Sequence, residues 1–221
     1  MILSVDSSSV TAAAALCDDD CNIINSEFSH SGLTHSETLL PMIKRVMGVR
    51  GFDELSAVAV TVGPGSFTGV RIGVATVKGL AFASDIPCVP VSSLEAVAYN
   101  FIEENAVVCV VMDARRQQYY NALFEIKDGK VIRLTPDRAL GHDELVIELE
   151  KFDNVIAAGD GAKLLQERWG KCILCSEDKQ YVTGRGVALA AKDNEKISAA
   201  SLMPVYLRLS QAERELKLKR R

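Results

Sequence analysis

The sequence predicts an α/β protein made of two similar halves. Three observations carry this. Apolar strands alternate with helical stretches along the chain. The plan of the first hundred or so residues starts again near the middle. One apolar strand in each half ends in an acid, Asp6 in MILSVDS and Asp113 in VVCVVMD.

MILSVDS reads as a strand, VTAAAALC (10–17) as a second and IINSEFS (23–29) as a third, with DDDCN as a turn. HSETLLPMIKRVMGVRG (35–51) is helical, because Leu39, Ile43, Val46 and Met47 share one face. Pro41 is tolerated near a helix start and kinks a helix elsewhere. SAVAVTVG (56–63) is a buried strand, FTGVRIGVATVKGLAFA (67–83) a helix, 86–91 a short strand and SSLEAVAYNFIEE (92–104) a helix. VVCVVMDARRQQYYNALFEIKDGKVI then repeats the three opening strands, with Asp128-Gly129 as the turn. Helices follow at 142–152, 162–170 and 183–194, with a strand and loop in NVIAAGDGA. The boundary falls near 103–106, giving halves of 1–104 and 105–221, the second with a helical tail.

The 221 residues are 48% hydrophobic, enough for a sizeable core. Lys and Arg number 25 against 29 Asp and Glu, a net charge of −4, so the chain as a whole is not a basic nucleic-acid binder. Contact with tRNA is expected to be indirect or local. The amino terminus has no basic region before an apolar core, so no secretory signal is expected. No apolar run nears the roughly 18–20 residues of a membrane span. A cytoplasmic location without membrane contact is expected. Of six cysteines, Cys109 sits in an apolar strand, Cys172 and Cys175 form a lone C-x-x-C, and Cys17 and Cys21 bracket a turn. No second close pair supplies a zinc set, so reduced thiols are expected.

The stretch VGPGSFTGVRIGV (62–74) has three competing readings. It lacks the lysine of a P-loop, and Gly69 comes one residue late for a dinucleotide fingerprint. A helix amino terminus still attracts anions. Ser66 follows Gly65 directly, and Thr68 replaces the second glycine of a nucleophile elbow. Ser66 reads as a helix N-cap. Packing remains: Gly69, Gly73, Thr76 and Leu80 form one helical stripe, while Phe67, Val70, Val74 and Val77 suffice for the sheet. This favours packing of the glycine stripe against a helix of another subunit. Leu39 and Ile43 are the expected apolar anchors beside it, and the isolated chain is expected to pair with itself through the same patch. Arg71 either clamps an acidic partner group or pairs locally with Glu or Asp.

Acid-ended strands facing across a cleft resemble the actin, Hsp70 and sugar-kinase superfamily, whose halves are ribonuclease-H-like. GPGSFTGVRIGVATVKGLAFA resembles the signature of the TsaB (YeaZ) family, the non-catalytic paralogue in bacterial tRNA threonylcarbamoyladenosine synthesis. VDSSSVTAAAAL, HSETLLPMI, VPVSSLEAVA and PVYLRLSQAERE agree, so the resemblance spans nearly the whole chain. It implies two actin-like halves and assembly with the catalytic paralogue TsaD, joined by the ATPase subunit TsaE. The complex moves threonylcarbamoyl from an adenylate onto the adenosine beside the anticodon.

The catalytic paralogue continues into V-N-H-x-E-x-H, whose histidines hold a metal. Here Val91, Ser92, Ser93, Leu94, Glu95, Ala96 and Val97 stand there, so Ser93 and Val97 replace both imidazoles. Neither substitute ligates as imidazole does, so no catalytic residue and no metal site are expected, and a metallopeptidase reading falls with them. The chain is read as an accessory subunit rather than an enzyme, with no cofactor of its own. The rival is an ATP-binding phosphotransferase. Asp6-Ser7-Ser8-Ser9 lacks the usual phosphate-turn glycine, Asp113-Ala114-Arg115 is a degenerate second turn, and Gly159-Asp160-Gly161 is a weakened adenosine loop. Each also reads as strand-end turn chemistry. KLKRR at 217–221 reads as a solvated tail or a contact to tRNA phosphates.

Overall fold

The computed structural model describes residues 1–32, 34–115 and 117–208. The first half runs β1 (Ile2–Asp6), β2 (Ala12–Cys17), β3 (Ile23–Ser29), α1 (His35–Met47), β4 (Ala57–Gly63), α2 (Phe67–Ala83), β5 (Cys88–Ser92) and α3 (Ser93–Ala98). The second runs β6 (Ala106–Asp113), β7 (Gln118–Lys127), β8 (Lys130–Arg133), β9 (Arg138–Gly141), α4 (His142–Leu149), β10 (Val155–Ala158), α5 (Ala162–Trp169), β11 (Ile173–Leu174) and α6 (Gly184–Ala191).

The two sheets share one plan. The first is ordered β3-β2-β1-β4-β5, the second β11-β10-β6-β7-β8, with β9 also on β7. Each has an antiparallel meander on one side (β1/β2/β3, β6/β7/β8) and parallel neighbours on the other (β1/β4/β5, β6/β10/β11). The repeated pattern predicts these two similar α/β halves with mixed sheets, and the resemblance implies their ribonuclease-H-like, actin-like plan.

Burial on both faces makes the central strands nearly continuous apolar runs. β2 and β4 are buried at every residue. The core forms three layers. Val70, Val74 and Val77 of α2 join Leu39 and Ile43 of α1 on the outer face of the first sheet. Each such side chain adds roughly 1.5–3 kcal/mol by leaving water. Leu145 of α4 and Leu165 of α5 do the same on the outer face of the second. Between the sheets, Leu94 and Val97 of α3 and Val187 of α6 meet β4, β5, β6 and β7. So α6, encoded late, lies against the first sheet, and α3 reaches the second. Gly184 makes this possible, since a Cβ there would stand 2.5 Å from the Ala15 Cβ.

Several boundaries differ from expectation. The helix begun at 35 ends at Met47, because Gly48 turns to φ 62° and donates its N–H to the Lys44 carbonyl. The helix expected to 104 stops at Ala98 and tightens into a 3₁₀ turn at Tyr99–Phe101. β9 and β11 went unread, because RALG holds no run of strand-forming apolar residues and two residues hold no periodicity. No described helix is long and apolar enough to cross a membrane. All six cysteines are unpaired, and five are buried.

Candidate functional site

The glycine-rich stretch joins β4 to α2. Ser66 caps α2, its hydroxyl accepting the Gly69 N–H at 3.2 Å. Its own N–H donates to the Ser8 carbonyl at 2.7 Å. The glycines let α2 press onto the turn after β1. A Cβ at Gly65 would stand 2.2 Å from the Ser8 carbonyl oxygen, at Gly69 2.2 Å from that of Ser7, and at Gly73 2.5 Å from the Ser7 hydroxyl.

This corrects the expected subunit interface. Gly69 and Gly73 are buried against the chain's own first sheet, so they do not set the approach of another molecule. Leu39 and Ile43 are core residues, each about 1% exposed, and are not surface anchors. Thr76 and Leu80 are half-buried, with Leu80 packed on the same core. What α1 and α2 turn outward is a different set. Ala75, Gly79, Phe82 and Ala83 are exposed on α2, Phe82 by 72%, and Leu40 on α1 by 52%. Gly79 differs from its buried counterparts, because a Cβ there meets nothing within 4 Å.

Between the halves, at the carboxyl ends of β1 and β6, lies a cleft of about 420 Å³. The structure brings together Ser8, Ser9, Gly65 and Ser66 from one side and Asp113, Ala114, Arg115 and Asp160 from the other. Asp6 and Ser7 are not among its lining residues. The Asp6 Oδ1 accepts from the Ser8 N–H at 3.1 Å, the Ser8 hydroxyl at 2.6 Å and the Thr61 hydroxyl at 2.5 Å. Its Oδ2 is buried without a partner among the described residues. Burial raises the Asp6 pKa, against the lowering effect of the Ser8 and Thr61 hydroxyls. Ser7 donates to the Gly69 carbonyl at 2.9 Å.

Asp113 faces the cleft. Its N–H donates to the Asp160 carboxylate at 2.9 Å, and its carboxylate accepts the Arg115 N–H at 2.7 Å. Burial first, then the Asp113 charge, raises the Asp160 pKa against the lowering bond from the Asp113 N–H. Gly159 (φ 97°) and Gly161 lie against the end of β6. Their amides donate to the Gln180 and Val111 carbonyls at 2.9 and 3.1 Å, so the loop's donors are engaged within the chain.

The chain's final described segment crosses the cleft mouth. Val205 donates its N–H to the Val62 carbonyl at 2.7 Å. The Tyr206 ring lies 4.8 Å from that of Phe67, and the Arg71 guanidinium sits 4.5 Å over the Phe67 ring. Among the described residues Arg71 has no carboxylate partner, so the expected local ion pair is not formed, and its exposed guanidinium rests on the ring instead. Arg208 donates to the Ala114 and Arg115 carbonyls. Sequence reading missed Tyr206 and Arg208 as contacts, although they lie in the flanking stretch PVYLRLSQAERE. KLKRR at 217–221 lies outside the described residues.

At the positions of the two replaced histidines, Ser93 and Val97 are fully buried in α3. Glu95 is half-buried and ion-paired with Arg133 at 2.8 Å, while Arg133 also holds Asp137 at 2.6 Å. A guanidinium from the second half thus neutralises the retained carboxylate. Arg133 was not singled out from sequence, since nothing in KVIR marks a partner across the halves.

A family model described as TsaD, tRNA N6-adenosine threonylcarbamoyltransferase, matches residues 29–205. The tRNA threonylcarbamoyladenosine biosynthesis protein TsaB of Bacillus subtilis (strain 168) is 32% identical over 220 residues, covering 96% of each chain. YeaZ from Pseudomonas aeruginosa superposes with a TM-score of 0.79 at 25% identity, over 93% of this chain and 99% of that one. The ethanolamine utilization protein EutJ from Carboxydothermus hydrogenoformans, with a TM-score of 0.50 at 12% identity over 85% of this chain and 89% of that one, shares the fold alone. Similarity along nearly the full length, in sequence and in fold, makes the chain a member of the TsaB (YeaZ) family of tRNA threonylcarbamoyladenosine biosynthesis.

Proposed function

We propose that the chain is a cytoplasmic, non-catalytic scaffold and activator that pairs with the catalytic paralogue TsaD during threonylcarbamoyl transfer to tRNA. Its first half, 1–104, carries the contact, through the outer face of α1 and α2. TsaE joins through the complex, tRNA is met indirectly, and the isolated chain uses the same face to form a homodimer.

The observation that carries this reading is Gly79. A helical glycine costs about 1 kcal/mol relative to alanine. Gly65, Gly69 and Gly73 have an internal reason to be glycine, whereas Gly79 is exposed over open space. Ala75 and Ala83 lie four residues to either side of it on α2, and Phe82 on α2 and Leu40 on α1 are the exposed apolar anchors. Small exposed residues on a helix that also exposes a large apolar side chain suit close approach of a partner helix. Burial of Ser93 and Val97, and pairing of Glu95 with Arg133, support the non-catalytic part.

The test is co-purification with TsaD of the wild type, Gly79→Leu and Phe82→Glu. Both variants are expected to keep the wild-type melting temperature within about 2 °C and to lose at least about tenfold in association, since 1.4 kcal/mol is one decade. Undiminished association of both would sink the proposed face.

A second reading, ATP-binding phosphotransferase, draws on the cleft and on Asp113 facing it. The engaged amides of Gly159 and Gly161 and the sealed carboxylate of Asp6 weigh against it. Calorimetry with ATP and magnesium separates the two, with sub-millimolar binding and turnover by the isolated chain favouring the rival.

A further inference from the structure

The chain's last described segment is anchored unequally at its two ends. Leu202 is fully buried against the first half, and its carbonyl accepts the Lys78 ammonium at 3.3 Å. Gly63, at φ 117°, lets the segment lie close, since a Cβ there would stand 2.6 Å from the Val205 carbonyl oxygen. Beyond Leu202 no described apolar side chain of the segment is fully buried, and Pro204 and Leu207 are half-buried. Met203, Val205 and Tyr206 are each exposed by more than two fifths. Among the described residues, the hold on the second half is one guanidinium, that of Arg208, on the Ala114 and Arg115 carbonyls.

The receiving turn is strained. Arg115 and Gln117 take φ values of 64° and 62°, a region that costs a non-glycine residue free energy. The strained turn and the lightly held strap meet at the same two carbonyls.

We propose that residues 202–208 form a releasable strap over the cleft, hinged at Leu202 and latched by Arg208, whose opening lets the backbone at Arg115 and Gln117 relax. Closed, the strap supplies Val205, Tyr206, Leu207 and Arg208 to the cleft wall. Open, it bares the Val62 and Ala114 carbonyls and the Phe67 face, turning a walled cleft into a groove running across both halves. The α3–α6 layer between the sheets stays packed throughout, so the motion is local opening rather than domain separation. The proposal does not depend on which partner the α1–α2 face binds.

Hydrogen exchange of the Val205 amide, followed by NMR on the full chain, reads the strap directly, with the Val60 and Val108 amides reporting the core. Arg208→Ala is expected to speed Val205 exchange about tenfold and leave both core amides unchanged. Arg115→Gly removes the strain of the closed turn, so it is expected to slow Val205 exchange about threefold. Val205 exchange unchanged in Arg208→Ala overturns the latch. Faster exchange in Arg115→Gly overturns the role of the strained turn. Loss of core protection in Arg208→Ala would make the segment a structural clasp and overturn the proposal as well.

Discussion

The ends of β1 and β6 are built alike and finish differently. In each, an acid closes an apolar strand and glycines let a later element press close. Gly69 and Gly73 press on Ser7, and Gly159 on Val111. Beyond that point the halves part. In the first, the hydroxyls of Ser8 and Thr61 converge on Asp6 and seal it. In the second, Asp160 takes the backbone of Asp113 while the Asp113 side chain stays one-third exposed at the cleft. One strand end has become an interior polar cluster, and its counterpart has stayed a surface. Duplicate architecture therefore does not imply duplicate use, and the neighbouring hydroxyls decide which.

The largest expected effect breaks the shared glycine device in the second half. Gly159→Ala combines a clash at 2.1 Å from the Val111 carbonyl oxygen with a φ of 97°. Overpacking and backbone strain together cost roughly 2–6 kcal/mol, and urea titration measures it. Gly69→Ala breaks the device in the first half at normal φ. The clash at 2.2 Å with the Ser7 carbonyl oxygen belongs at the upper end of the roughly 1–3 kcal/mol range for overpacking. The gain of about 1 kcal/mol from alanine in a helix does not offset it. The loss should appear as a lower melting temperature, while the fraction that remains folded still binds TsaD. A folded, stable Gly69→Ala that fails to bind would restore the buried stripe as an interface.

The smallest effect sharpens the contrast through pH. Burial raises the pKa of Asp6 above its unfolded value. The neutral acid thus favours the fold at low pH, and that contribution fades as pH rises through the folded pKa. Relative to the wild type, Asp6→Asn should therefore gain stability as pH rises from about 4, the unfolded carboxyl's range, until the folded Asp6 pKa is passed. Asp160→Asn should move in the same direction, for the same first cause. A flat difference for Asp6→Asn across that window would mean that the three donors on Oδ1 outweigh burial.

Much of the fold was legible because burial on both faces writes strands as unbroken apolar runs. MILSVD, AVAVTVG and AVVCVVMD leave little choice. The repeat was legible for the same reason. β9 and β11 were not, because RALG holds no run of strand-forming apolar residues and two residues hold no periodicity. The candidate face was legible only to the level of the helix. Sequence placed small residues on α2 correctly, but it could not tell a glycine needed by Ser7 from one that meets nothing. Gly73 and Gly79 look equivalent in GVATVKG, and only tertiary contact separates them. Tyr206 and Arg208 stayed hidden because their partners lie far away in the chain.

The exchange of helices between the halves bears on how the molecule is inherited and engineered. A chain severed near residue 104 would leave one fragment lacking α6 and the other lacking α3, each with a naked sheet surface. Neither piece has the means to persist by itself, yet the two are complementary along those surfaces. Co-expressed fragments should find each other, whereas swapping half of this protein for half of a relative requires that the exchanged helices and their seats travel together.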